Sequence, residues 1–181
     1  ALDAETGASL WETETDLQVW GPPSVADGSV FFGMGNGDFV KSAPKPRGAV
    51  WRLDAATGNP VWKCDLPDAV LSAIAVREER LFAGCRNGFT YALNRKDGKV
   101  LWEAECGGPV VASPALDTSR VYAAGDRGKV VALDQASGQS VWTLDLSTKG
   151  GPDVKLFSSP ALAGGRLYLG ASREKLFCIG E

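Results

Sequence analysis

The residue types that most often carry chemistry are scarce in this chain. None of its 181 residues is a histidine, and its four cysteines stand far apart. Without histidine the chain cannot build a Ser-His-Asp or Cys-His triad, a histidine zinc site or a histidine pH switch. The cysteines form no C-x-x-C pair, so we expect small core residues rather than a zinc or redox site, with disulfides left open. They are Cys64, Cys85, Cys106 and Cys178.

A glycine-rich segment frames one side chain of the kind that binds a hard cation. Residues 33–37 read Gly-Met-Gly-Asn-Gly, and the amide oxygen of Asn36 is a donor suited to Ca²⁺. The Gly-x-Gly spacing is not a dinucleotide fingerprint, because no helix follows it. A second interpretation is a strand end where backbones crowd together, with Asn36 in the left-handed conformation.

The elements that position these residues are repeated along the chain. One sequence phrase occurs four times, and each copy contains a glycine followed four residues later by a tryptophan. The copies run from Ala1 to Trp11, Arg52 to Trp62, Ala92 to Trp102 and Ala132 to Trp142. A fifth copy is cut short at 177–180. The intervals between equivalent positions are 51, 40, 40 and 46 residues, measured along Leu2, Leu53, Leu93, Leu133 and Ile179. Repeats of this length predict stacked supersecondary units.

Each period predicts four short strands. Two apolar runs joined by a tight turn precede each copy of the phrase after the first, and no segment keeps a helical period. In the Asp-x-x-Thr-Gly turn, the Asp caps backbone N–H groups and the Gly takes a positive φ, which predicts a hairpin with a bulge. The tryptophan then opens the fourth strand, where we expect it to pack between neighbouring sheets. The first period alone carries an insertion, at 38–48.

The charge balance narrows the range of partners. The chain has 22 Asp and Glu against 19 Lys and Arg, a formal charge of −3. Nucleic-acid and anionic-membrane binders need a net basic field, so neither partner is expected. No stretch approaches the roughly 18 consecutive apolar residues of a membrane-spanning helix. We therefore predict no membrane span.

The phrase Ala-Leu-Asp-x-x-Thr-Gly-x-x-x-Trp resembles the tryptophan-docking repeat of the quinoprotein-like (PQQ-repeat) propellers, over essentially the whole chain. The resemblance implies an all-β protein, a β-propeller built from four four-stranded antiparallel blades, equivalent to half of an eight-bladed ring. The expected single unit spans 1–181. Its blades cover about 18–66, 67–106, 107–147 and 148–181, the last completed by a strand from 1–16. A WD40 propeller is disfavoured, because Gly-His and Trp-Asp dipeptides are missing.

The same resemblance suggests where a cofactor would bind. In the quinoprotein dehydrogenases the Asn of a Gly-Asn pair is a ligand of the calcium ion that holds the quinone, a role that would fall on Asn36. Gly35 and Trp20 would then contact the cofactor. Trp20 and Trp51 belong to no repeat position, which makes both candidates for ligand contact. Asp68 could serve as the catalytic Asp, although an Asp after proline is more typical of a turn.

Two features of those dehydrogenases are missing. The chain has no pair of adjacent cysteines and no His-rich catalytic stretch. The sequence therefore favours a non-catalytic module that binds or scaffolds a protein or small ligand, without a cofactor. The alternative is part of a PQQ- and calcium-dependent alcohol or sugar dehydrogenase. By resemblance, a periplasmic or other extracytoplasmic location is expected.

A propeller must close, since an open blade exposes a sheet edge. The chain starts at the end of a third strand, with a fourth strand at 9–12, and finishes inside a third strand at 176–179. Three geometries satisfy closure. They are a four-bladed ring, two copies joined into an eight-bladed ring, and a fragment whose other blades lie upstream in a longer parent. The expected partner is therefore another protein, or a second copy that completes the ring.

Overall fold

The computed structural model describes residues 1–151 and 153–180, with the backbone alone at position 150. Four antiparallel sheets follow one another along the chain. The first sheet contains β1 (Ser24–Ala26), β2 (Ser29–Gly35), β3 (Gly48–Asp54) and β4 (Pro60–Leu66). The second contains β5 (Ala75–Arg77), β6 (Arg80–Gly84), β7 (Phe89–Asn94) and β8 (Val100–Glu105). The third contains β9 (Ala115–Leu116), β10 (Arg120–Ala124), β11 (Lys129–Asp134) and β12 (Ser140–Asp145).

The fourth sheet has three strands within the described residues. They are β13 (Ala161–Ala163), β14 (Arg166–Ala171) and β15 (Lys175–Ile179). A single helical turn, α1 (Ser147–Gly150), lies in the connection from the third sheet to the fourth. The all-β class and the propeller of PQQ-repeat type are confirmed. The blade limits, and completion of the last blade by residues 1–16, stay predictions.

Burial runs across each sheet from inside to outside. The first strands of neighbouring sheets touch, β1 with β5 and β9 with β13. In the first three sheets the second and third strands are mostly buried, whereas β4, β8 and β12 alternate mainly between exposed and half-buried positions. This alternation fits a strand at the periphery, because successive side chains point to opposite faces. The apolar clusters lie between consecutive sheets, as between Phe31 and Leu81 or Phe82 and Val121.

The predicted turn chemistry is confirmed in the repeated hairpins. In the first sheet the carboxylate of Asp54 accepts hydrogen bonds from the N–H and hydroxyl of Thr57, both at 2.8 Å. Gly58 follows with φ of 73°. The register shifts between Arg52 and Leu53, which is the expected bulge, and the same shift recurs at the equivalent place in the second and third sheets.

The repeated tryptophans join one sheet to the next, as predicted. The Trp62 indole N–H donates to the carbonyl oxygen of Arg95 at 3.1 Å, and its ring covers Gly98. The Trp102 indole N–H likewise donates to the carbonyl oxygen of Gln135 at 3.1 Å, and its ring covers Gly138. Each ring therefore lies on the Asp-x-x-Thr-Gly turn, or its equivalent, in the following sheet.

The N-terminal segment uses the same contact. Trp11 donates to the carbonyl of Ala55 at 3.0 Å and covers Gly58 in the first sheet. Residues 1–13 thus occupy the position that the last hairpin of a preceding blade would take. Within this segment, Leu2 and Ser9 form an isolated bridge.

Substitution at a docking glycine tests this contact. Gly98 has φ of 73°, and an added Cβ would lie 2.6 Å from the Trp62 ring. Gly28 has φ of 68° with open space around it, so alanine there brings backbone strain alone. We expect Gly98→Ala to lower the free energy of unfolding by about 1–2 kcal/mol more than Gly28→Ala does. Urea unfolding measures both; equal losses would show that the ring does not press on this turn.

Candidate functional site

The insertion forms a loop between β2 and β3, and Asn36 closes its base. The side-chain oxygen of Asn36 accepts the Arg47 N–H at 2.7 Å, and its amide donates to the Lys45 carbonyl at 2.8 Å. The backbone N–H of Asn36 also donates to the Arg47 carbonyl at 3.0 Å. Both polar ends of the amide are thus engaged within the loop. In this structure the amide closes the base of the loop. Calcium binding by Asn36 stays a prediction.

The prediction that Asn36 adopts the left-handed conformation is wrong. The positive φ falls on Gly37, at 90°. The reason is that Asn36 still pairs with the returning chain, through its backbone N–H and the Arg47 carbonyl. The glycine after it then makes the turn into the loop.

The tip of the loop is a tight turn organised by Asp38. The carboxylate of Asp38 accepts the backbone N–H groups of Val40 and Lys41, both at 2.7 Å. Its own N–H donates to the Lys41 carbonyl at 3.1 Å. These backbone hydrogen bonds favour the charged carboxylate, so the pKa of Asp38 lies below its ordinary value. Three hydrogen bonds therefore close the turn 38–41.

A buried arginine from the second sheet anchors this turn. Arg86 is 4% exposed, and its guanidinium donates to the carbonyl oxygens of Asp38 and Lys41 at the two ends of the turn. The backbone N–H of Arg86 donates to the Ala69 carbonyl at 2.9 Å. Its Nε is buried without a hydrogen-bond partner among the described residues. A cation buried in this way holds the loop against the interface between two sheets.

Asp68 provides the second anchor. It is 5% exposed, and its carboxylate accepts the Ser42 hydroxyl and the N–H of Ala69. The sequence indicated an ordinary turn residue here. Asp68 does lie in a bend between sheets, but the loop covers it, so its carboxylate binds the loop rather than water.

Three glycines let the backbone approach this anchor. A Cβ at Gly33 would lie 2.2 Å from Val70, one at Gly35 would lie 2.2 Å from Ala69, and one at Gly48 would lie 1.8 Å from the Asp68 carbonyl oxygen. The predicted crowding of backbones at this strand end is therefore present. Gly35 serves close packing, and its role as a cofactor contact stays a prediction.

The outer face of the turn presents apolar side chains to solvent. Phe39 is 51% exposed and Val40 is 83% exposed. Trp20, itself 39% exposed, meets Phe39 edge to face with ring centroids 6.1 Å apart. We call Trp20, Phe39 and Val40 the apolar tip. Trp51 is not part of it, because its ring packs edge to face on Phe32 at 5.9 Å.

An open cleft of about 510 Å3 lies at the base of the loop. Its lining residues are Thr15, Asp16, Leu17, Gln18, Asn36 and Gly37. Asp16 is ion-paired with Lys63 at 2.7 Å and with Arg47 at 3.2 Å, and its pKa is lowered chiefly by the hydrogen bond from Lys63. The cleft thus includes Asn36 but neither Gly35 nor Trp20, so the three predicted site residues do not line one cavity.

Sequence reasoning missed the residues that hold the loop, namely Asp38, Ser42 and Arg86. One signal was available. The second and third sheets align Arg86 with Asp126, so an arginine stands where the equivalent repeat has an acid. Arg77 and Asp117 also differ in charge between these repeats, so this signal alone does not locate the contact with the loop.

The cysteines are unpaired thiols, and all lie in the described part of the chain. Cys85 and Cys106 are buried as expected, Cys64 is half-buried, and Cys178 is exposed, so the core prediction is wrong for Cys178. The edge position of β15 leaves that side chain in solvent. Burial raises the pKa of Cys85 to about 11, from an ordinary 9.0, and its Sγ lies 3.1 Å from the Asp68 carbonyl oxygen.

The raised pKa of the Cys85 thiol should make the stability of the protein depend on pH in the alkaline range. Because its pKa is raised on folding, its contribution to stability is present below pH 9 and is lost as the pH rises toward about 11. We expect the free energy of unfolding to fall across this window by about 2 kcal/mol more in the native chain than in Cys85→Ala. Denaturant unfolding at stepped pH measures it. Parallel pH profiles for the two proteins would contradict the assignment.

Comparisons with known proteins agree with this fold. The sequence model of the family described as outer membrane protein assembly factor BamB matches residues 46–180. The chain belongs to this family. The crystal structure of BamB from Moraxella catarrhalis superposes with a TM-score of 0.76 at 21% identity, over 96% of this chain and 50% of that one. At this identity the likeness shows the shared fold.

Two curated relatives match parts of this BamB-family chain. A polyvinylalcohol dehydrogenase from Sphingopyxis sp. (strain 113P3) is 41% identical over 73 residues, which is 35% of this chain and 11% of that protein. The beta-alanine-activating enzyme of Danio rerio is 33% identical over 92 residues, or 51% of this chain and 8% of that protein. The chain thus spans only a small part of either relative's length.

Within residues 1–151 and 153–180, no helix is both long and apolar enough to cross a membrane. The same residues contain no group of three or more Cys, Asp or Glu side chains placed to hold a metal ion.

Proposed function

We propose that this BamB-family chain is a protein-binding module, and that its apolar tip docks an apolar, acidic segment of a partner protein. The observation that carries the proposal is the position of Phe39 and Val40. Both stand in solvent on a turn whose two ends are held by the buried Arg86. An exposed apolar patch on a fixed backbone is the typical form of an interaction site.

The anchoring lowers the entropy cost of binding. Two side-chain carboxylates and one guanidinium already order the loop, through Asp38, Asp68 and Arg86. A partner therefore need not order the backbone of the turn when it binds, which leaves more of the contact energy for affinity. Aromatic side chains such as Trp20 and Phe39 are common energetic centres of interfaces.

The charges around the tip favour an acidic partner segment. Lys41 is exposed in the turn beside the tip and Lys45 is exposed at the base of the loop, while the carboxylates of Asp38 and Asp68 accept hydrogen bonds within the loop. Asp16, at the cleft, is paired with Lys63 and Arg47. A segment with apolar residues and Asp or Glu would match both features of this surface.

The family supports this choice of function class. BamB is described as an assembly factor for outer membrane proteins. A role in which this chain holds another protein, in a periplasmic or other extracytoplasmic setting, would agree with that description.

Selection from a random peptide display library on the intact chain tests the proposal. We expect enriched peptides that combine apolar and acidic residues. Their dissociation constants should rise about tenfold or more on Phe39→Ser or Val40→Ser. Phe157→Ser and Val141→Ser are the matched controls, because these side chains are also exposed but lie away from the first sheet. Peptides that bind all four variants equally would refute the assignment of the tip.

The second candidate function is that of part of a dehydrogenase, which the match to the polyvinylalcohol dehydrogenase favours. It requires Asn36 to offer its amide oxygen to calcium, whereas that oxygen accepts the Arg47 N–H at 2.7 Å. Absorbance titration with PQQ and Ca²⁺ separates the candidates. Under our proposal no saturable binding is expected. Saturable binding that needs calcium and is lost in Asn36→Ala, with a retained circular dichroism spectrum, would favour the dehydrogenase.

A further inference from the structure

The loop between β2 and β3 carries basic side chains as well as the apolar tip. From 39 to 53 the sequence contains no Asp or Glu, and Lys41, Lys45 and Arg47 are all exposed within this stretch. Among the described residues, neither lysine ammonium group forms a hydrogen bond or a salt bridge. Positive charge and exposed apolar groups therefore occur together on one short loop.

The acidic groups of this region are engaged within the protein. The carboxylate of Asp38 accepts two backbone N–H groups of its own turn. Asp68 is 5% exposed and accepts the Ser42 hydroxyl from the loop above it. Asp16, in the cleft at the base of the loop, is ion-paired with Lys63 at 2.7 Å. These contacts leave the two lysines as the ionic groups of the loop that form no salt bridge.

The local charge differs from the charge of the whole chain. From the net charge of −3 we expected no anionic membrane partner. Exposed charges act on a nearby surface only over about one Debye length, which is roughly 8 Å at physiological ionic strength. A surface that meets the tip would therefore sense the basic loop rather than the average of the chain.

We propose that the apolar tip inserts into the headgroup boundary of an anionic phospholipid membrane. Aromatic side chains favour this boundary, and basic residues beside them attract anionic headgroups. Trp20 and Phe39 would enter it as the edge-to-face pair seen in the structure, with Val40 next to them. Arg86 already holds both ends of the turn, so insertion requires no reordering of its backbone. This inference goes beyond the proposed protein partner and does not depend on it.

The size of the tip sets the strength of the attachment. A single myristoyl chain binds membranes reversibly, with a constant of about 10⁴ M⁻¹. Three side chains bury less apolar surface than such a chain, so the apolar contact alone is weaker. Each basic residue near an anionic surface adds about a fivefold gain in affinity. We therefore expect reversible binding that requires both the apolar tip and the lysines.

Cosedimentation of the 181-residue chain with phospholipid vesicles tests the proposal. The vesicles contain equal parts of phosphatidylglycerol and phosphatidylcholine, and vesicles of phosphatidylcholine alone provide the neutral comparison. We expect saturable binding to the anionic vesicles that weakens as salt is added, because salt screens the lysines. Binding to the neutral vesicles should be about tenfold weaker or less.

Two matched pairs of variants locate the contact. Phe39→Ser should weaken vesicle binding about fivefold or more, whereas Phe157→Ser removes another exposed ring and should not. Lys41→Glu should weaken it about tenfold or more. Lys96→Glu makes the same charge change in the turn between β7 and β8, at the opposite end of its sheet, and should have little effect. All four side chains are exposed, so each variant should keep the native circular dichroism spectrum.

Fluorescence quenching separates insertion from adsorption by charge alone. Vesicles with brominated acyl chains quench a tryptophan that reaches the boundary. We expect binding to quench part of the emission, and this part should be lost in Trp20→Phe but kept in Trp51→Phe, since Trp51 packs on Phe32 outside the tip. Equal binding by Phe39→Ser and Phe157→Ser, or quenching that Trp20→Phe leaves unchanged, overturns the proposal. A chain that binds tip-selected peptides but no vesicles also overturns it and restricts the tip to protein partners.

Discussion

Replacing Arg86 with alanine is expected to lower the free energy of unfolding by about 2–3 kcal/mol. The guanidinium donates to the carbonyl oxygens of Asp38 and Lys41, and its removal leaves both carbonyls without this donor. The turn that carries Phe39 and Val40 would lose its anchor to the second sheet. Limited proteolysis should therefore cut first within 38–47 in this variant, before the sheets are attacked.

Arg127→Ala is the matched control for this prediction. Arg127 stands one position after the repeat equivalent of Arg86 and is exposed, so its removal should change the unfolding free energy by about 0.5 kcal/mol or less. Chemical denaturation gives the free energies, and mass spectrometry of the first cleavage products gives the site. If Arg86→Ala unfolds like Arg127→Ala, the loop does not depend on the buried cation.

Replacing Gly48 with alanine is expected to cost about 3 kcal/mol or more of unfolding free energy. An added Cβ would lie 1.8 Å from the carbonyl oxygen of Asp68 and 2.5 Å from its carbonyl carbon. Both are backbone atoms in a buried bend, so neither can turn aside as a flexible side chain would. Relief requires β3 to move away from the segment that carries Asp68.

Gly170→Ala is the control, because Gly170 also lies within a strand and its new Cβ would meet only the Ser158 side chain, at 3.2 Å. That contact asks for a shift of a few tenths of an ångström. We expect a loss of about 1 kcal/mol or less at Gly170. Thermal unfolding compares the two variants. Similar melting temperatures would mean that β3 and the bend at Asp68 can separate without penalty.

The repeat was predictable because its interactions lie at fixed spacing along the chain. An Asp caps the residue three positions later, a glycine follows, and a tryptophan comes four residues after that glycine. Each docking contact then repeats from sheet to sheet, as in Trp62 with Arg95 and Trp102 with Gln135. Local turn chemistry and one repeated contact therefore determine most of the fold.

The interior of the insertion was not predictable in the same way. Arg86 reaches carbonyl groups 45 and 48 positions away, and Ser42 reaches Asp68 across 26 positions. These contacts occur once, so no period reveals them. Asn36 was singled out as a candidate calcium ligand, and its hydrogen-bond partners Lys45 and Arg47 lie within the insertion itself. A sequence does not show which atoms a loop brings back to its base.

Hydrogen exchange at the tip tests the central claim most directly. In the free chain we expect slow exchange at the amides of Val40 and Lys41, because both donate to the buttressed carboxylate of Asp38. A saturating, tip-selected apolar and acidic peptide should slow exchange further within 38–47 and leave the cleft residues 15–18 unchanged. Rapid exchange at 38–41 in the free chain, or peptide protection confined to 15–18 and 36–37, would contradict a rigid binding tip.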